Sequence, residues 1–276
     1  PDWTAKGEPR AQVALVRLET LWINTGTLCN ITCQNCYIES SPSNDRLEYI
    51  SAAEVAALLD EIGAQDLGTA EIGFTGGEPF LNPQFIAMLG DALARGHRVL
   101  VLTNAMQPMQ RPRQKQGLLA LKEAHGNRLK IRVSLDHHSQ ALHEAERGPK
   151  TWAKALVGLD WLSVNGFNVA IAGRTCWNEP EQQEREGYAG LIARQGWRID
   201  PNDSTQLLLL PEMDGMHDVP EITTQCWRIL DRKPSDQMCA TSRMVVKRKG
   251  AERPTVMPCS RTWRVRCATC SAYASH

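Results

Sequence analysis

The stretch LWINTGTLCNITCQNCY, residues 21–37, joins a short β-rich segment to three cysteines in one predicted loop. The segment Leu21–Thr25 suits a strand that is buried on both faces. Cys29, Cys33 and Cys36 follow it with the spacing C-x3-C-x2-C. Thiolates are soft ligands that select zinc or iron–sulfur clusters, so the loop predicts a metal centre of one of these two kinds.

Three cysteines leave one ligand position open. They can hold three corners of a [4Fe–4S] cluster, which normally takes four protein ligands. The remaining iron would then be a coordination site for a substrate, by the logic that makes open zinc sites catalytic. The alternative is a structural zinc site that takes its fourth ligand from a distant part of the chain.

Outward from this stretch, strand and helix patterns alternate. Five more strand-like runs are Ala70–Thr75, Arg98–Asn104, Leu129–Asp136, Phe167–Gly173 and Gln206–Pro211. The amphipathic stretches are Ser51–Ile62, Pro83–Ala94, Gln116–His125, Trp152–Leu162 and Gln182–Gln195. Six strands that alternate with helices, a series of βα units, predict an α/β fold, a partial (β/α)6 TIM-like barrel open on one side, over residues 1–211.

Composition excludes several classes of protein. The 276 residues carry 31 basic and 31 acidic side chains, and this balance argues against a general nucleic-acid binder. Apolar runs are too short for a transmembrane helix, and the polar start lacks a signal sequence, so we expect no membrane partner and a cytoplasmic protein. Nine cysteines, an odd number in a long chain, favour metal or redox chemistry over a disulfide framework.

A second motif, Gly76-Gly77-Glu78-Pro79, follows the second strand. Two glycines at the end of a strand let the backbone come close to a ligand, and their carbonyls can accept hydrogen bonds from an ammonium group. Glu78 can add a carboxylate. An ordinary βα turn is the alternative, but the motif lies where parallel α/β folds bind ligands.

Taken together, these features resemble the radical S-adenosylmethionine (SAM) superfamily. The resemblance rests on the cysteine spacing, the Gly-Gly-Glu-Pro motif and the six βα units in this order, and it covers roughly residues 20–211. It implies a [4Fe–4S] cluster that binds the amino and carboxylate groups of SAM at its open iron. One electron then cleaves SAM into methionine and a 5′-deoxyadenosyl radical, which abstracts a hydrogen atom from the substrate.

The resemblance also implies roles for individual residues. Cys29, Cys33 and Cys36 would be the cluster ligands. Gly76, Gly77 and Glu78 would bind the SAM ammonium group. Polar contacts to SAM are implied at Asn104, Ser134, Asp136 and Arg174, for which capping or turn roles are the alternative. The family often has an aromatic residue or His before the third cysteine; here that position is Asn35, and the aromatic candidate for the cofactor site is Tyr37, after the cysteine.

Four cysteines lie near the C-terminus: Cys239, Cys259, Cys267 and Cys270. A β-hairpin pattern around Gly250 and the final C-x2-C pair resemble the auxiliary-cluster extensions called SPASM and Twitch domains. They imply an auxiliary iron–sulfur cluster in residues 212–276, with Cys226 as a substitute ligand. A zinc site and unrelated free thiols are the alternatives. Residues 240–276 contain eight basic and one acidic side chain, so this segment carries +7 and the rest of the chain −7.

We therefore expect a radical SAM enzyme that acts on a small molecule or a peptide. Its electron donor would be a protein such as flavodoxin or ferredoxin. About twenty residues precede the first strand, too few for a leader-binding domain, which favours a small molecule or a peptide recruited by a separate protein. The alternative function is a non-catalytic iron–sulfur electron carrier or a zinc-stabilised scaffold, neither of which needs a site for the SAM ammonium group.

Overall fold

A computed structural model describes residues 2–211 and 221–258 of the chain. Its eight strands form one sheet in the order β6-β5-β4-β3-β2-β1-β7-β8. The strands are β1 Thr20–Asn24, β2 Glu71–Thr75, β3 Arg98–Thr103, β4 Leu129–Ser134, β5 Asn168–Thr175, β6 Leu207–Pro211, β7 Ser242–Val246 and β8 Thr255–Met257. No helix in this described part is long and apolar enough to span a membrane.

Helices connect the strands. They are α1 Ala52–Ala64, α2 Phe85–Ala94, α3 Gln107–Gln110, α4 Pro112–His125, α5 Gln140–Arg147, α6 Trp152–Val164, α7 Glu181–Gln195 and α8 Cys226–Ile229. Single 3-10 turns lie at Pro79–Leu81, Gly126–Arg128, Pro234–Asp236 and Met238–Ala240.

Strands β1 to β6 are parallel neighbours, as the strand–helix alternation predicts. Their central side chains, including Ile23, Phe74, Val101 and Ile131, are fully buried in one apolar core. An open parallel sheet with helices after its strands confirms the predicted fold class. Because every strand ends at the same edge, the loops after β1 to β5 meet there.

The predicted helix starts and strand ends are close to the observed ones. At the start of α1, Ser51 Oγ accepts from Glu54 N at 3.2 Å, and Glu54 Oε2 accepts from Ser51 N at 2.8 Å. This is the capping box that the sequence predicts. Three helices were not predicted: the short helices α3 and α8, and α5, residues Gln140–Arg147, which lies between β4 and α6.

The segment after residue 220 contributes to the same sheet. Strand β7 pairs in parallel with β1 and antiparallel with β8, which forms the hairpin expected around Gly250. The division into residues 1–211 and 212–276 stays a prediction. Three of the cysteines assigned to the second part, Cys259, Cys267 and Cys270, lie outside the described residues.

Candidate functional site

The two sequence motifs meet at the carboxyl edge of the sheet. The cysteine loop follows β1, and the glycine turn follows β2, the strand paired with it. Gly77 N donates to the Gly26 carbonyl at 2.8 Å, and Glu78 N donates to the Leu28 carbonyl at 3.1 Å. The turn is therefore hydrogen-bonded to the residues that lead directly into Cys29.

This contact requires glycine. A Cβ on Gly77 would lie 2.1 Å from the Leu28 carbonyl oxygen. Gly76 has a φ of +147°, and a Cβ there would lie 2.7 Å from the Gly26 carbonyl oxygen. Because both obstacles are backbone atoms, a larger residue would push the cysteine loop away.

All three loop cysteines are free thiols, with Cys29 buried and Cys33 and Cys36 partly buried. Cys36 Sγ accepts a hydrogen bond from Ser40 N at 3.3 Å. Burial, with the neighbouring Glu78, Cys33 and Cys36, outweighs a hydrogen bond from the Ile31 backbone and raises the pKa of Cys29 to about 12. The thiolate forms thus need a positive charge among them, which a metal cluster provides.

Glu78 is buried and accepts three hydrogen bonds. Its donors are Thr103 Oγ1 at 2.8 Å, Asn104 N at 2.9 Å and Phe80 N at 3.2 Å. None of these donors carries a charge. Burial therefore dominates and raises the pKa of Glu78 to about 7. A cationic group bound nearby would stabilise the carboxylate form.

Asn104, just past the end of β3, joins this carboxylate to the cysteines. Its side-chain Nδ2 donates to Asn30 Oδ1 at 2.9 Å and lies 4.0 Å from Cys29 Sγ. Its backbone N–H is one of the three donors to Glu78. Asn104 is buried and lies next to the candidate cluster site, and its contact with SAM stays a prediction.

Asp136 and Arg174, predicted to contact SAM, lie in a network of ion pairs. Asp136 Oδ2 lies 2.6 Å from Arg147 Nε, and Asp136 Oδ1 lies 3.6 Å from Arg174 Nε. Burial opposes ionisation of Asp136, but the two guanidinium groups outweigh it and hold the pKa of Asp136 below its ordinary value. Asp136 is therefore an anion with two cationic partners of its own.

The other two residues predicted to contact SAM are Ser134 and Tyr37. Ser134 is the last residue of β4 and is half-buried. The side chain of Tyr37, directly after Cys36, remains 38% exposed. Its hydroxyl interacts with Thr75 at the end of β2, and burial around the hydroxyl raises the pKa of Tyr37.

Two residues at this edge were missed by the sequence reasoning. Glu146 and Arg147 end α5, and Glu146 is 4% exposed. Glu146 accepts hydrogen bonds from Asn35, and Arg147 pairs with Asp136. The only signal in the sequence is two charged residues that end a short polar segment after β4, which by itself indicates a solvated helix end.

The residues present fit a [4Fe–4S] cluster and SAM. Three thiols, soft ligands that need a cation, lie in one loop held against a glycine turn. Beside them, the donors to the buried Glu78 carboxylate among the described residues are all uncharged, which suits an ammonium group. Cys29, Cys33 and Cys36 would hold the cluster, and Glu78 with the turn would face the amino end of SAM.

The described cysteines of the C-terminal part lie at separate places along the chain. Cys239 is in the 3-10 turn Met238–Ala240, directly before β7, and is half-buried. Cys226 starts α8, and its Sγ accepts from Thr223 N at 3.4 Å. The auxiliary cluster stays a prediction.

Comparison with known proteins identifies the class. Residues 23–184 match the radical SAM superfamily, which is more than half of the chain. The chain belongs to the radical SAM superfamily, and the expected class of enzyme and its cofactors, a [4Fe–4S] cluster and SAM, are confirmed.

Curated relatives are similar over part of their length. The antilisterial bacteriocin subtilosin biosynthesis protein AlbA of Bacillus subtilis is 30% identical over 145 residues, 52% of this chain and 30% of AlbA. The mycofactocin maturase MftC of Mycolicibacterium smegmatis is 27% identical over 168 residues, 61% of this chain and 40% of MftC. The chain thus spans less than half of the curated relatives that it matches.

Solved structures share the fold. The structure of Streptococcus suis SuiB bound to S-adenosylmethionine aligns with a TM-score of 0.63 at 12% identity, over 92% of this chain and 63% of SuiB. SuiB bound to the precursor peptide SuiA aligns with a TM-score of 0.61 at 12% identity, over 91% of this chain and 61% of that chain. At this identity the likeness supports the fold alone.

Proposed function

We propose that this chain is the catalytic part of a radical SAM enzyme that modifies a peptide. The observation that carries the proposal is the pair of hydrogen bonds from Gly77 and Glu78 to the loop before Cys29. They bring a soft-ligand site and a buried carboxylate to one edge of the sheet. An electron carrier would need the first of these but not the second.

The proposed roles follow from the positions of the side chains. Cys29, Cys33 and Cys36 hold the cluster, and the carbonyls of the Gly76–Gly77 turn and the Glu78 carboxylate orient the SAM ammonium group. Asn104 keeps Glu78 and Cys29 at a fixed separation through its backbone N–H and its side-chain amide. Ser134 and Tyr37 are at the same edge and remain candidate contacts to the rest of SAM.

When bound, the cluster supplies the electron that cleaves SAM into methionine and a 5′-deoxyadenosyl radical, which takes a hydrogen atom from the substrate. The chain contributes position and protection from water. Asp136 and Arg174 suit such a site, because the network that they form fixes a guanidinium near the cysteine loop. Arg174 is the proposed partner of the SAM carboxylate, a role in which its Nη2 would exchange the Asn35 carbonyl for the cofactor.

A peptide substrate is supported by the relatives. AlbA is named for the biosynthesis of a bacteriocin, MftC is named as a maturase, and SuiB has been solved with a precursor peptide. The basic residues 240–276 can attract an anionic partner, which includes an acidic peptide. A small molecule is the alternative substrate class.

Three accessory features complete the proposal. The electron donor is a flavodoxin- or ferredoxin-like protein. An auxiliary cluster is held by Cys239, Cys259, Cys267 and Cys270, with Cys226 as a substitute ligand. The free thiols of the described cysteines fit a reducing compartment such as the cytoplasm.

The test is anaerobic reconstitution with iron and sulfide, followed by incubation with dithionite and SAM. The wild-type protein should be brown and should release 5′-deoxyadenosine. The triple variant C29A/C33A/C36A should release none, and the matched control C176A should take up iron like the wild type. Iron-replete wild-type protein that forms no 5′-deoxyadenosine would favour the electron-carrier function instead.

A further inference from the structure

The turn between Cys33 and Cys36 is held by the end of α5. Gln34 N donates to the Glu146 backbone carbonyl at 2.8 Å. Asn35 donates twice to the Glu146 carboxylate, from its backbone N at 3.0 Å and from its side-chain Nδ2 at 3.0 Å. Both residues lie between two cluster ligands, so Glu146 contacts the segment that sets the separation of their thiols.

A third group closes this arrangement. Arg174 Nη2 donates to the Asn35 carbonyl at 3.2 Å and lies 3.7 Å from Glu146 Oε1. The exposed Asn35 is thus bound through its N–H, its amide and its carbonyl. These three hydrogen bonds fix the position of Asn35, so a polar side chain at this position can stabilise the cysteine loop.

Arg147 adds a buried charge at the same place. Its side chain is 11% exposed, and its Nη2 donates to Asp136 Oδ1 at 2.9 Å. The preceding residue, Glu146, accepts from Gln34 N, directly after Cys33, through its backbone carbonyl at 2.8 Å. This backbone contact places Arg147 beside the turn that joins Cys33 to Cys36, so its positive charge lies at the candidate cluster site.

We propose that Glu146 and Arg147 are positioning residues for the iron–sulfur cluster. Glu146 fixes the Cys33–Cys36 turn through Asn35, and Arg147, anchored by Asp136, places a positive charge at that turn. The inference rests on the proposed function only for the presence of the cluster. It assigns no contact with SAM or with the substrate to either residue.

The positive charge of Arg147 should change the reduction potential of the cluster. Three thiolates around a doubly positive cluster core give one net negative charge, and one-electron reduction adds another. A nearby positive charge stabilises the more negative, reduced form more strongly, so Arg147 raises the reduction potential. Lysine at this position would keep the charge but lose the two-point contact with Asp136.

The first test measures the reduction potential of the reconstituted protein. The signal followed is the electron paramagnetic resonance (EPR) signal that changes when SAM is added to a separate sample, which distinguishes this cluster from an auxiliary one. R147M should lower the potential, and R147K should remain near the wild type. The control R128M removes an arginine that binds the Leu93 carbonyl at the opposite edge, and it should leave the potential unchanged.

The double variant D136N/R147M separates charge from packing. It removes both charges of the pair, so its potential should lie between those of R147M and the wild type. Circular dichroism and iron content establish that each variant is folded and loaded. A loaded R147M protein with the wild-type potential would overturn the role of Arg147, whatever its yield of 5′-deoxyadenosine.

The second test measures the rate at which a chelator removes iron. N35A and E146A should each speed the release by roughly tenfold, as outer-shell changes do at metal sites. Because both break the same contact, N35A/E146A should be no faster than either single variant. The control E61A removes an exposed glutamate of α1 and should release iron at the wild-type rate.

If E146A does not fold, E146Q replaces it, since the amide keeps one acceptor for Asn35 and should give a smaller acceleration. Wild-type release rates in loaded N35A and E146Q would overturn the role of Glu146. Release rates that multiply in the double variant would also overturn it. Failure of the proposed function is separate, because it appears as absence of 5′-deoxyadenosine from loaded wild-type protein.

Discussion

Gly77 lies so close to Leu28 that a Cβ on the glycine would sit 2.1 Å from the leucine carbonyl oxygen. The two residues belong to different loops, one after β2 and one after β1. Their contact couples the glycine turn to the cysteine loop without using any side chain. We therefore expect retention of the cluster to depend on a glycine that itself binds no metal.

The variant G77A should loosen the cysteine loop. We expect a loss of about 1–3 kcal/mol in the free energy of unfolding, typical of overpacking, together with faster release of iron to a chelator. The matched control is G63A in α1, where a Cβ would meet nothing within 4 Å. That change should be neutral or stabilise the protein, because alanine favours a helix. Equal iron release from G77A and G63A would contradict the coupling.

Glu78 should matter to SAM through its charge. E78Q keeps the shape but removes the negative charge, so we expect SAM affinity to fall by roughly tenfold, about 1.4 kcal/mol. The comparison is T103V, which removes one neutral donor to Glu78 at 2.8 Å and leaves the charge. T103V should destabilise folding by about 1 kcal/mol and bind SAM nearly as the wild type does. Calorimetric titration of both variants measures the difference, and equal losses of affinity would exclude the role of charge.

Glu184 of α7 should make stability depend on pH. It is fully buried, and neither carboxyl oxygen has a hydrogen-bond partner among the described residues. Burial, with Glu179 and Glu181 nearby, raises its pKa from 4.5 to about 7. Between these values the folded protein binds a proton that the unfolded chain has released, so stability falls as the pH rises from 4.5 to 7.

Urea unfolding of the cluster-free protein across this pH window measures the effect. E184Q cannot titrate, so its stability should change less with pH than that of the wild type. The control E186Q removes an exposed glutamate of the same helix and should keep the wild-type slope. Parallel slopes for all three proteins would show that Glu184 does not titrate in this range.

Iron content tests the C-terminal cysteines. The variant C29A/C33A/C36A removes the proposed ligands of the SAM-binding cluster and should still retain iron after reconstitution. Adding C239A, C259A, C267A and C270A should remove the remainder. Complete loss of iron from the folded triple variant would count against an auxiliary site.

Much of the fold could be predicted from the sequence because it depends on the local pattern of apolar residues. Apolar β-rich runs predicted β1 to β6, and the motif Gly76–Pro79 could be placed at the end of β2 from sequence position alone. Helix α5 was not predicted because the face that it buries is polar. Its buried residues are His143 and Glu146, so no apolar period marks it as a helix.

Only part of the candidate site could be predicted from the sequence, for a related reason. Cysteine spacing and the glycine motif are short-range signals, whereas the contact between Asn35 and Glu146 joins residues 111 positions apart. Asp136 and Arg174 were predicted as SAM contacts from their strand ends. Position could not reveal that Asp136 pairs with Arg147 and that Arg174 pairs with Glu146, because those pairs form only when α5 packs against the cysteine loop.

The central claim is that the cluster held by Cys29, Cys33 and Cys36 binds SAM through its open iron. Electron–nuclear double resonance on the reduced protein, with SAM carrying 15N in the amino group and 17O in the carboxylate, measures that contact directly. We predict hyperfine coupling from both labels to the cluster, and its loss in C29A/C33A/C36A. Iron-replete, reduced wild-type protein that shows no coupling to either label would contradict the claim.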